Sequence, residues 1–214
     1  MTLLADKNNH AATLIRDGRY EEAYAELRDA LEAQLSILQV AAQNGVVYTS
    51  VDNNRLVVLP LTSIPQESND IIFPSPLVIC SPMANEFDQD RLICSCVCSI
   101  FNMGLACHLY ANECSYLAVQ EKERSYLLAR ALYQQAREIG GTLVTALVHL
   151  ALCNNLLDLA FELSDVEAAR IWNHHFSQWM QVIPLDISGD LWVHFFKVQV
   201  YSVCRLAPSS CEEA

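Results

Sequence analysis

Positive charge is scarce in this chain. Lys and Arg number 13 against 25 Asp and Glu, for a formal net charge of −12, and lysine is reduced to Lys7, Lys122 and Lys197. Such a surface repels a phosphate backbone and an anionic membrane alike, which argues against nucleic acid and membrane as direct ligands. Acidity serves solubility first and suits a basic partner second. No secretory signal is visible in residues 1–10, which carry no basic region followed by an apolar one. The 9 cysteines are accordingly expected to be reduced, mostly buried thiols of the cytoplasm or nucleus and not a disulfide framework. The sequence has no Gly-rich phosphate loop, no H-E-x-x-H, no G-x-S-x-G and no carboxylate pair in a catalytic context. These gaps predict a protein that is not an enzyme and has no cofactor or metal.

What is present is core material: 52% of residues are hydrophobic and 18% charged, a balance that argues against disorder. Two uncharged stretches, 92–112 and 139–157, are long enough to raise the question of a membrane span. The first holds Asn102, His108 and Asn112 and the second His149, Asn154 and Asn155, groups awkward in lipid and natural on a polar helix face. Both stretches are therefore expected to be helices of a soluble fold.

Periodicity predicts one domain over 1–214. Residues 4–44 form an antiparallel helical pair broken at Arg16-Asp17-Gly18-Arg19, with Leu14, Ile15, Ala23, Leu27, Ala30, Leu31, Leu35 and Leu38 at three- and four-residue steps. Asn44-Gly45 supplies a left-handed cap. Residues 45–87 change character. The β-branched runs 46–51 and 56–59 around Asp52-Asn53-Asn54-Arg55 predict a hairpin, and 70–73 with 77–80 predict one more, interrupted edge strand among prolines. This insertion is too apolar for a linker. A second pair over 88–140 has its second helix at 126–139, and a third over 141–183 pairs 143–163 with 166–182. A capping helix over 188–206 precedes a frayed tail.

The run Gly18-Arg19-Tyr20-Glu21-Glu22-Ala23, continued by Leu27 and Ala30, resembles the turn and second helix of a tetratricopeptide repeat. Asn9, His10, Ala11 and Leu14 match its first helix. Asn102, Met103, Gly104 and Cys107 with Ala129, Tyr133 and Ala136 give a second unit, about thirteen residues longer than the usual spacing. Asn155, Leu156 and Leu157 with Ser164, Asp165, Val166, Ala169, Asn173 and Phe176 give a third. There Ser164 stands in the Gly position, and Ala168 with Trp172 fits as well as Ala169 with Asn173. The phrases 102–109 and 151–156 also look like those of uncharacterised diatom repeat proteins. The resemblance implies a mainly α fold, an antiparallel helix-pair solenoid with a small β-hairpin insertion and a C-terminal capping helix. It also implies a protein-interaction scaffold or adaptor that binds a peptide or helix in its concave groove.

In that family the first helices line the groove. Asn8, Asn9 and Arg16, then Asn102 and His108, then Asn154, Asn155 and Asp158 are thereby assigned to partner binding, where an Asn amide can grip a peptide backbone as donor and acceptor together. For Asn102 and Asn155 a competing role is tying neighbouring helices together, because buried amides need partners either way. The family's two-carboxylate clamp for acidic tails is not reproduced: Asn8, Ala12, Ala151 and Asn155 stand where it has Lys, Asn, Lys and Arg, and Asn102 alone matches. The alternative is a thiol- or zinc-dependent protein using the region Cys94 to Cys114. Against it, Cys94 and Cys98 share a helix face from which Cys96 points away, so the trio cannot converge on one metal.

Overall fold

The computed structural model describes residues 3–43, 57–61, 71–80, 89–182 and 189–207. Those residues form a mainly helical fold with one small sheet, in the order α1 (Leu3–Arg16), α2 (Tyr20–Gln43), β1 (Val57–Pro60), β2 (Leu77–Cys80), α3 (Gln89–Glu113), α4 (Val119–Gly140), α5 (Ala146–Glu162), α6 (Val166–Val182) and α7 (Gly189–Leu206). Consecutive helices pack as pairs, α1 on α2, α3 on α4 and α5 on α6. The pairs are joined by contacts of α3 with α1 and α2, and of α4 with α5, while α7 leans on α6 and α5.

Small residues let the helices of a pair approach. Ala23 and Leu27 on α2, and Ala129, Tyr133 and Ala136 on α4, are fully buried. Opposite them Gly104 has no side chain because there is no room for one. A Cβ there would sit 2.8 Å from Cε1 of Tyr133 and 2.9 Å from its Cδ1.

The turns of the first and third pairs are built alike. Gly18 N–H donates to Ile15 O at 3.0 Å and Arg19 N–H to Leu14 O at 2.9 Å; Ser164 N–H donates to Phe161 O at 3.1 Å and Asp165 N–H to Ala160 O at 2.8 Å. Both are the paired closure that ends a helix through a left-handed residue. Gly18 has φ 76° and Ser164 φ 56°. The matching turns carry the register onward: Ala23 N–H donates to Arg19 O and Ala169 N–H to Asp165 O. Of the two registers the sequence left open, Ala169 is therefore the residue equivalent to Ala23, and it is fully buried. Asp165 caps α6, its Oδ1 accepting from Ala168 N–H at 3.0 Å.

Several expectations change. Helix α4 begins at Val119, not Tyr126, because Glu, Lys and Arg favour helix without leaving an apolar stripe to read, and Glu121 reaches back to Ala118 N–H at 3.2 Å. Helix α5 begins at Ala146, not Leu143, since Thr145 is extended at φ −71° and ψ 159°. The stretch 139–157 is consequently broken between two helices. Helix α3 is long and apolar enough to cross a membrane, but 78% of its apolar window is buried inside the protein. Strand β1 pairs antiparallel with β2, in the register Val57↔Cys80 to Pro60↔Leu77. Its described partner is thus the later segment; the expected run 46–51, the turn at 52–55 and the cap at Asn44-Gly45 lie outside the described residues.

Candidate functional site

The segment from Ile71 to Cys80 runs across the inner helices α1, α3 and α5, and its own sequence keeps it extended. Phe73 precedes Pro74 and Ser75 precedes Pro76, and a residue before proline is driven out of the helical region. The prolines also bring no N–H of their own to satisfy. Along β2 the backbone groups alternate sides. Those of Val78 and Cys80 face β1, leaving those of Leu77 and Ile79 for the helices.

Asparagine side chains take the place of the missing strand. Asn102 Oδ1 accepts from Leu77 N–H at 2.8 Å, and its Nδ2 donates to Leu77 O at 2.8 Å. Asn8 Nδ2 donates to the same oxygen at 2.9 Å. Asn9 forks onto Ile79, accepting from its N–H at 2.8 Å and donating to its O at 2.9 Å. Farther along, Asn155 accepts from Phe73 N–H at 2.7 Å and donates to Phe73 O at 3.2 Å, and Asn154 donates to Ile71 O.

Of the two roles weighed for Asn102 and Asn155, the tie between helices is present, and the backbone that they grip is the chain's own. Asn102 Nδ2 also donates to Asn8 Oδ1 at 3.0 Å, tying α3 to α1, and Asn155 Nδ2 reaches Tyr133 Oη at 3.1 Å, tying α5 to α4. Ser99 Oγ adds a bond to Asn8 Oδ1 at 3.3 Å. His194 on α7 closes the network: its Nε2 lies 3.2 Å from Asn154 Oδ1, an acceptor, so this nitrogen carries the proton. Burial, with a smaller contribution from Lys197, lowers the His194 pKa to about 4, so the ring is neutral near pH 7.

Apolar burial holds the segment and the amides set its register. Phe73, Leu77 and Ile79 are at most 1% exposed, each contributing about 1.5–3 kcal/mol against about 0.5–1.5 kcal/mol for one net hydrogen bond. Phe73 stacks on Phe195 at 5.6 Å and 12°, with the edge of Phe101 at 6.4 Å.

The residues assigned to partner binding thus separate. Asn8, Asn9, Asn102, Asn154 and Asn155 converge on the chain's own insertion, and all but Asn9 are fully buried. His108 is also fully buried, its Nε2 3.1 Å from Asp158 Oδ2 and its ring edge-on to Tyr126 and Tyr133. Arg16 stands apart on the surface beside Asp17, at 3.0 Å. Sequence reading missed Ser99, Tyr133, His194 and Phe73 as members of this network. The available signal was the apolar, proline-fixed character of 71–80, which marks a segment that must be covered.

Burial pushes the thiols up, to about 11 for Cys96 and about 12 for Cys107 and Cys153, and Cys98 is raised as well. This is opposite to the shift that activates a nucleophilic or metal-binding cysteine. No group of three His, Cys, Asp or Glu side chains among the described residues could hold a metal ion. Arg137 of α4 covers the Trp172 ring of α6 at 5.2 Å, and His149 of α5 stacks on Trp179 of α6 at 4.0 Å and 5°.

No family model, curated protein or solved structure matches the chain.

Proposed function

We propose that this chain is a non-catalytic interaction scaffold or adaptor of the tetratricopeptide-repeat kind, working in the cytoplasm or nucleus on a protein or peptide partner. The observation that carries the reading is the row of asparagines on α1, α3 and α5 whose amides grip main-chain N–H and C=O groups of an extended segment. Amides so placed recognise polypeptide as such, and bring no nucleophile or proton-transfer group. The repeat reading is supported by the matching closures at Gly18 and Ser164 and by the equivalent Ala23 and Ala169. The net charge of −12 favours a basic partner surface outside the groove.

Capture of the partner by the purified chain, followed by a saturable titration of the two purified proteins and cross-linking, tests the function. A partner cross-linked to the described helices is the expected result. Turnover of a substrate by the purified chain, or no saturable partner, overturns it. The repeat geometry has a separate check. Replacing left-handed Ser164 by glycine, as at Gly18, should stabilise by about 0.5–1 kcal/mol in urea unfolding.

A further inference from the structure

We infer that Ile71–Cys80 is an exchangeable occupant of the amide-lined groove, and that the external partner this groove fits is an extended peptide bearing one cluster of large apolar side chains and, beyond it, an alternate apolar pair. The inference rests on the scaffold reading and specifies the ligand and its competitor. Three observations lead to it.

The amide contacts among the described residues are blind to sequence: Asn8, Asn9, Asn102, Asn154 and Asn155 meet backbone atoms of Ile71, Phe73, Leu77 and Ile79. Any extended chain offers the same groups at the same repeat, so the grip does not require this segment.

Selection comes from the side chains between those contacts. Phe73 lies among Phe101, His194 and Phe195, and Leu77 and Ile79 are enclosed. Val78 is half-buried and Cys80 exposed, so alternate positions of β2 are unread. The fitting ligand therefore has apolar residues matching 71 to 73, then 77 and 79, with an extended link in which proline removes two of three N–H groups, as Pro74 and Pro76 do around buried Ser75. Main-chain bonds supply affinity and alternate pockets supply specificity, as when a peptide adds to a sheet edge.

The occupant is also tethered. An intramolecular segment competes at an effective concentration on the order of millimolar, so a free peptide with equal contacts is excluded until the tethered copy is weakened. Weakening the internal segment should therefore raise apparent affinity for an external one by the factor the tether loses.

The test uses the whole chain and a fluorescent synthetic peptide of residues 71–80 carrying Cys80→Ser. Anisotropy titrations compare the parent chain with Phe73→Ala, and with the milder Ile79→Val as a variant that keeps its fold. Phe73→Ala should bind the peptide at least tenfold more tightly than the parent chain does, and Ile79→Val about two- to tenfold more tightly. Carrying Phe73→Ala in the peptide instead should cancel the gain, and a scrambled peptide should not bind. Equal peptide affinity for the parent chain and a folded Ile79→Val variant, or equal binding of the scrambled peptide, overturns the inference. That outcome leaves partner capture by the helices untouched, whereas loss of capture with peptide exchange intact refutes the adaptor role and retains the groove.

Discussion

Groove and C-terminal helix treat polarity in opposite ways. Along α1, α3 and α5 the amides of Asn8, Asn102, Asn154 and Asn155 are fully buried, and each has its partners. On α7, Trp192, Phe196, Val200 and Val203 follow one helical face at four- and three-residue steps, yet Phe196 and Val203 are each 56% exposed. The opposite face, with Leu191, His194, Phe195, Val198 and Ser202, is the buried one. The difference teaches that hydropathy alone does not say which side of a helix is covered. An amide can be a core group when a backbone lies opposite it, and an apolar stripe stays at the surface when no neighbouring element is placed over it.

The contrast is broken most severely by removing a groove amide. Asn102→Ala strands Leu77 N–H inside the protein and unties α3 from α1, and Asn155→Ala does the same to Phe73 N–H and the Tyr133 hydroxyl. Each should cost roughly 2–4 kcal/mol in urea unfolding. A loss below about 0.5 kcal/mol would mean that water serves these groups and that the groove is open.

Acid should loosen the same end of the groove. His194 titrates near 4 in the folded chain, below its ordinary value of 6.5. Between those values the unfolded chain binds the extra proton, so stability is full above about 6.5 and falls as pH drops toward 4. The loss is on the order of 3 kcal/mol. His149 and His175, also lowered chiefly by burial, act in the same direction. Unfolding free energies measured at pH 7, 5.5 and 4.5 give the slope, and His194→Gln should flatten it.

Gly104→Leu comes next, with an expected loss of roughly 1–3 kcal/mol as the new side chain displaces Tyr133, which also holds Asn155. A melting curve like that of the parent chain would contradict the close crossing of α3 and α4. The smallest effect belongs to α7: Phe196→Ser and Val200→Ser should each change stability by no more than about 0.5 kcal/mol. A loss of several kcal/mol there would show that the face is covered and would erase the contrast.

Much of the helical framework is legible in the sequence. Gly18 marked a turn because a left-handed closure favours glycine, and the alanine spacing of α2 and α4 marked close crossings because each crossing needs small residues on one face. The asparagines were legible as a row across the first helices. The start of α4 was not, since the polar residues 119–125 make a helix without an apolar stripe to reveal it. The partner of β1 was not legible either. A sequence shows that 57–60 and 77–80 favour strands, but their pairing depends on what lies on the other side of β2.

Sequence by itself determined the helical pairs, the acidity and the placement of amides on α1, α3 and α5, because period and residue type act over a few neighbours. Only tertiary structure decided what those amides hold. Asn102 and Leu77 are 25 residues apart and Asn155 and Phe73 are 82 apart. Backbone N–H and C=O groups are the same at every residue, so no local pattern names the residue that will fill an amide's fork. That choice was made by the burial of Phe73, Leu77 and Ile79 against the assembled helices.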